Sequence, residues 1–139
     1  MKTSKRRSPL VRWSPRLKKL RALSLRQPWA WLVVNGYKDI ENRSWRTNHR
    51  GPLLIHASQS RADFTPEKLA VIEQKYGVDV PWKVEFGGMV GDIDVLDCAK
   101  KHSSNGKFRD SWGWVIANPR RLPFRECKGA VGFFRLKSS

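Results

Sequence analysis

The sequence predicts an α+β fold, a mixed β pseudo-barrel of about six strands with two or three helices. Three observations carry this. Strand-like segments outnumber helix-like ones, and mostly loops separate them, which argues against a doubly wound sheet. No segment repeats another. A chain of 139 residues holds one core of ordinary size, but not two.

The elements follow in chain order. Residues 1–21 hold nine basic side chains and no acid, so more than half of the net charge of +16 sits on this leading stretch. With Pro9, Pro15, several serines and only scattered apolar residues, it is expected as a flexible basic arm ahead of a folded domain over 22–139. Ala22 to Arg26 alternates as a short strand with Leu23 and Leu25 on one face. Gln27-Pro28 opens a helix through Trp29 to Val34, stopped at Gly36. A strand runs from Tyr37 or Lys38 to about Trp45, then a basic loop from Arg46 to Gly51, then a compact apolar strand from Leu53 to Ala57. Thr65 reads as an N-cap with Pro66 in the first turn of a helix that stops at Gly77. Gly87 to Asp97 is a strand with Met89, Gly91, Ile93 and Val95 facing inward and Asp92 and Asp94 outward. A polar loop from Lys100 to Ser111 precedes a strand from Trp112 to Ala117, ended by Asn118-Pro119. Leu122 to Phe124 reads as a short edge strand, and Lys128 to Leu136 as the last strand.

Composition narrows the function classes. Lys plus Arg number 28 against 12 Asp plus Glu. With Arg120, Arg121 and Arg125 as a further basic cluster, a polyanionic partner is expected. No run approaches the roughly 18 apolar residues of a membrane span. The two cysteines, Cys98 and Cys127, build neither a disulfide scaffold nor a four-cysteine zinc site, which fits a reducing cytoplasmic setting. His49, His56 and His102 lack metal-ligand spacing, and no phosphate-cradling glycine loop or nucleophile elbow is present, so neither metal nor cofactor is expected.

Several motifs, in order, resemble one family. Leu25-Arg26-Gln27-Pro28-Trp29-Ala30 leads into Lys38-Asp39-Ile40-Glu41-Asn42-Arg43-Ser44-Trp45, and then Arg50-Gly51-Pro52-Leu53-Leu54-Ile55-His56-Ala57-Ser58. Gly88 to Gly91, Asp97-Cys98, Trp114 to Pro119 and Lys128 to Gly132 continue the pattern. Over roughly residues 22–136 the chain resembles the ASCH domain family of the PUA-like superfamily, in its small single-domain bacterial and phage form. The family is related to the ASCH domain of activating signal cointegrator. Phe134 stands where that form often closes on Trp. The resemblance implies a PUA-like pseudo-barrel with a cleft on one side, and RNA or DNA as partner. It also implies hydrolase relatives, one group removing the acetyl group from acetylated cytidine and another proposed to cut RNA. The deacetylating group carries Thr three positions after its Lys, where this chain has Glu41 after Lys38, which weakens that transfer.

On their own chemistry, Glu41, Arg43 and Trp45 share one strand face, and Lys38 turns in just before it. A ring that stacks on a base, a guanidinium for phosphate and a carboxylate for an exocyclic amine suit one nucleotide. The plainer alternative is an ion pair between Glu41 and Arg43, with Trp45 in the core. The candidate nucleic-acid contacts are Gln27, Trp29, Arg43, Trp45, Arg46, Arg50 and His56; Lys38 and Glu41 are the candidate catalytic pair should the chain be an enzyme. Trp112 and Trp114 share a strand face and are candidates for stacking or for the core. The leading expectation is a monomeric nucleic-acid-binding module, for RNA first. A hydrolase acting on a modified nucleoside or on RNA, and a peptide- or metabolite-binding domain, are the alternatives.

Overall fold

The computed structural model describes residues 8–101 and 111–137. One six-stranded mixed sheet, in the order β2-β5-β4-β3-β1-β6, carries three helices. The strands are β1 (Arg21–Leu25), β2 (Ile40–Arg43), β3 (Gly51–Ala57), β4 (Gly88–Lys101), β5 (Ser111–Glu126) and β6 (Phe134–Arg135). The helices are α1 (Pro15–Lys18), α2 (Trp29–Val34) and α3 (Pro66–Tyr76). β1 and β3 run parallel, with Leu23 beside Ile55 and Leu25 beside Ala57, and every other strand pair is antiparallel.

Alternation explains the main core. Leu23 and Leu25, Leu53 and Ile55, Ile93 and Val95, and Trp114 and Ile116 point to one side, where Ala30, Val33 and Val34 of α2 close over them. α3 follows its local signals. The Thr65 hydroxyl accepts from the Lys68 amide, and Gly77 ends the helix at φ 63°, a conformation that glycine adopts without steric cost. Leu32, Ile72 and Val78 bury together beneath Trp29, Trp31 and Tyr76. No helix among the described residues is long and apolar enough to cross a membrane.

Four expectations are corrected. Residues 8–21, assigned to a flexible arm, pack on the second face of the sheet. Val11, Trp13, Leu17 and Leu20 cover Ala22, Leu54, Met89 and Leu122. The Val11 amide donates to the Arg121 carbonyl at 2.8 Å, and the Arg121 amide to the Pro9 carbonyl at 2.8 Å. Residues 1–7 of the arm, and 102–110 of the loop expected after Lys100, lie outside the described residues.

The second correction concerns Asp92. Asp92 is 0% exposed, on the face whose Leu54 and Leu122 the N-terminal segment covers, while Asp94 stays half-buried. Third, the segments expected as two strands around Asn118-Pro119 are one. β5 runs through them with Asn118 at φ 52° and shifts of register against β4, so Leu122 to Phe124 is the far end of one long strand, still at an edge because β2 pairs only with Trp112 to Val115. Fourth, only Phe134 and Arg135 of the expected last strand pair, with Ala22 and Arg21. The preceding residues form a loop over the sheet, and a Cβ on Gly129 would stand 2.7 Å from the His56 ring, so only glycine fits there.

Candidate functional site

Four elements converge on one cleft. β1 finishes at Leu25 and hands over to Arg26; the Ser58 amide beside it donates to the Leu25 carbonyl at 2.8 Å. α2 begins at Trp29, and β2 contributes Glu41 and Arg43 from the far side. Together with Ser24, these residues line a cleft of about 430 Å³.

Glu41 is its electrostatic centre. The Lys38 ammonium donates to Oε1 at 3.3 Å, and an Arg43 guanidinium nitrogen donates to Oε2 at 3.4 Å. Lys38 is buried, also donates to the Ile40 carbonyl, and lies 5.9 Å from the centre of the Trp29 ring. Burial pushes its ammonium below the ordinary lysine range, and the Glu41 carboxylate only partly restores it. The Trp29 indole donates to Asp63 at 3.0 Å. Burial alone would raise the Asp63 carboxyl, but hydrogen bonds from Trp29 and Lys68 outweigh it and hold the group below its usual range. A charged Asp63 thus fixes the ring and lies 3.8 Å from Arg26. The Ser58 hydroxyl is buried without a hydrogen-bond partner among the described residues, an arrangement that costs about 1–3 kcal/mol unless a bound group supplies one.

The sequence-predicted residues divide. Lys38, Glu41, Arg43 and Trp29 meet here. Trp45 does not line the cleft. β2 ends at Arg43, so the alternation stops, and the Trp45 ring turns edge-on to Trp114 at 4.8 Å and to Phe133 at 5.2 Å. Trp114 is core as well, and Trp112 packs against that core. Gln27 is a buried strut, its amide donating to the Glu85 carbonyl at 2.8 Å and accepting from the Trp31 amide at 2.9 Å. Arg50 precedes β3, whose other end reaches the cleft, roughly 20 Å away at strand rise. It is engaged with Asp97 at 3.6 Å and with the Thr47 carbonyl at 3.2 Å. Arg46 is exposed on the same connection. The cleft also holds Ser24, Arg26 and Ser58, which the sequence marks only weakly, Arg26 and Ser58 by lying at strand ends inside the motif stretches.

His56 is 2% exposed and sits behind the cleft wall. Its Nε2 lies 2.9 Å from the Cys127 carbonyl and its Nδ1 2.9 Å from the Ser24 hydroxyl. A carbonyl only accepts, so Nε2 carries the proton, and Nδ1 accepts from Ser24. Burial lowers the imidazole's pKa, although the Cys127 carbonyl opposes this. The unfolded state therefore binds the proton first as pH falls, and stability is expected to decline below about pH 6.5. Urea melts between pH 7.5 and 5 on the wild type and on His56→Gln check this; equal slopes for the two proteins would refute it.

Three comparisons bear on these residues. A family model for the ASCH domain matches residues 23–124. Activating signal cointegrator 1 from Mus musculus is 33% identical over 130 residues, and its Homo sapiens counterpart 35%. Both alignments cover 84% of this chain, which spans only 22% of those relatives. The crystal structure of ASCH from Zymomonas mobilis superposes with a TM-score of 0.55 at 10% identity, covering 86% of this chain and 89% of that one, a likeness of fold.

Proposed function

The chain belongs to the ASCH domain family, and on that premise we propose that its cleft takes one nucleotide of a single-stranded RNA. The observation that carries this reading is the partnerless Ser58 hydroxyl in a cleft walled by the Trp29 ring and the Arg26 and Arg43 guanidiniums. Trp29 stacks on the base, Arg43 and Arg26 meet phosphate oxygens, and Ser58 and Glu41 bond the base edge or the ribose. A volume of about 430 Å³ lies within the range of small-ligand pockets.

The test is fluorescence anisotropy of the full chain with labelled single-stranded RNA. Arg43→Ala is expected to weaken binding at least tenfold, the loss of a charge-assisted contact worth about 1.5–3 kcal/mol. It should also lower the log–log salt slope by about 0.7. Unchanged affinity in a variant that melts normally would sink the reading.

One observation favours a second reading, a hydrolase acting on a modified nucleoside or RNA. Lys38 is buried, held below the ordinary lysine range and bonded to Glu41 beside the cleft, as a base or nucleophile with a proton relay would be. Incubation with acetylated cytidine, other nucleosides and RNA separates the two readings. Product that disappears in Lys38→Ala supports the enzyme; binding without product leaves the reader module.

A further inference from the structure

A second surface lies outside the cleft and outside the family match altogether. A groove of about 640 Å³ runs between α1, the end of β5 and the segment at β6. Lys18, Lys19, Arg125, Arg135 and Lys137 line it, and among the described residues no carboxylate does. All five fall beyond residues 23–124. Both guanidiniums are already positioned. Arg135 donates to the Lys19 carbonyl at 2.6 Å. Arg125 lies 5.8 Å over the ring of Trp13, whose indole is pinned to the Pro123 carbonyl at 2.8 Å. Five like charges around one concavity repel one another and raise the local concentration of anions.

We propose that this groove holds the phosphodiester backbone of the RNA strand whose nucleotide the cleft takes. The proposal relies on the cleft reading for the identity of the partner, while the groove itself stands on its own charge. β1 links the two sites: Arg21 pairs with Arg135 at the groove end, and Leu25 leads to Arg26 at the cleft end. Five strand residues span about 17 Å, which is about five nucleotides at 3.4 Å of stacked strand each. A dinucleotide thus reaches the cleft alone, and a 12-mer reaches both. An anionic membrane fits less well. Interfacial binding uses a large apolar face, whereas α1 has four residues and the groove lining holds no aromatic ring, only Pro15 and Leu136 besides its cations.

The experiment compares the full chain with Lys18→Gln/Lys19→Gln/Lys137→Gln, using labelled uridine 12-mer and dinucleotide across a salt series. The triple variant is expected to bind the 12-mer about tenfold more weakly at 0.15 M salt, with a log–log slope shallower by about 2. Its dinucleotide affinity and melting temperature should not change. An unaltered 12-mer slope, with Arg43→Ala still weakening the dinucleotide, overturns the groove and leaves the cleft. A weakened 12-mer, with Arg43→Ala harmless to the dinucleotide, supports the groove and removes the cleft. Retention on phosphatidylserine vesicles tighter than on RNA, lost in the triple variant, overturns the proposal in favour of a membrane surface. Should the triple variant melt lower, Lys137→Glu alone, on the exposed stretch after β6, takes its place.

Discussion

Arg120→Ala is expected to destabilise the domain by about 3 kcal/mol at neutral pH, the cost of leaving a buried charge without its partner. Asp92 is fully buried, and the Arg120 guanidinium grips both carboxylate oxygens, through Nε at 2.9 Å and through Nη2. The lower end of the usual range applies because the Arg120 side chain is 34% exposed, so water can enter once it is truncated. Burial holds the Asp92 carboxyl above its usual range even with Arg120 in place. The folded pKa therefore exceeds the unfolded one, and the native state takes up the proton first on acidification. The loss in Arg120→Ala should shrink as pH falls, because neutral Asp92 no longer needs the guanidinium. Urea melts from pH 7 to pH 4 read this directly, and a loss independent of pH contradicts it. The paired change Asp92→Leu with Arg120→Met should cost little or even stabilise, since it removes both desolvation penalties together.

Glu41→Gln is the mirror experiment. It takes the negative charge from beside the Lys38 ammonium and leaves that buried cation only neutral acceptors, the Ile40 carbonyl and the new amide oxygen, with the face of Trp29. A loss of about 2 kcal/mol at pH 7 is expected, smaller than for an isolated buried charge because those neutral contacts persist. Lys38 already lies below the ordinary lysine value of 10.5 through burial, with Glu41 opposing, so removing Glu41 lowers it further. The native state then sheds its proton before the unfolded chain as pH rises, and stability recovers toward pH 10. Melts of Glu41→Gln that narrow the gap on alkalinisation confirm the sign, and a widening gap refutes it. The domain thus holds two buried pairs whose disruption is rescued in opposite directions of pH.

What was legible in the sequence follows from whether the signal is local. α3 was readable to its caps because Thr65, Pro66 and Gly77 each act within one turn. β1 and β3 were readable because Leu23, Leu25, Leu53 and Ile55 alternate or cluster. The packed N-terminal segment was hidden. Trp13, Leu17 and Leu20 do stand at helical spacing, i, i+4 and i+7, but the helix within that stretch has only four residues, too short for the pattern to stand out among the basic residues around it, so tertiary contact is what reveals the segment. Asp92 was misplaced for the same reason: alternation gives its side of the strand, but not the roof laid over that side. At the site, the shared face of Glu41 and Arg43 was legible from period two. Trp45 has the right parity but lies beyond the end of β2, so its ring was free to join Trp114. Arg50 is near Arg43 in sequence yet stands at the opposite end of a strand, a separation set by the connection through residues 44–50.

β4 and β5 are the two longest strands, 14 and 16 residues, and they belong to both buried layers. Met89 and Leu122 sit in one layer, and Ile93, Val95, Trp114 and Ile116 in the other. Neither layer can open without breaking the ladder that carries the other, so the two behave as a single foldon. Amide protons at the centre of this pair would then exchange with solvent only when the whole domain unfolds, while those of β6, tied by two residue pairs, escape through local fraying.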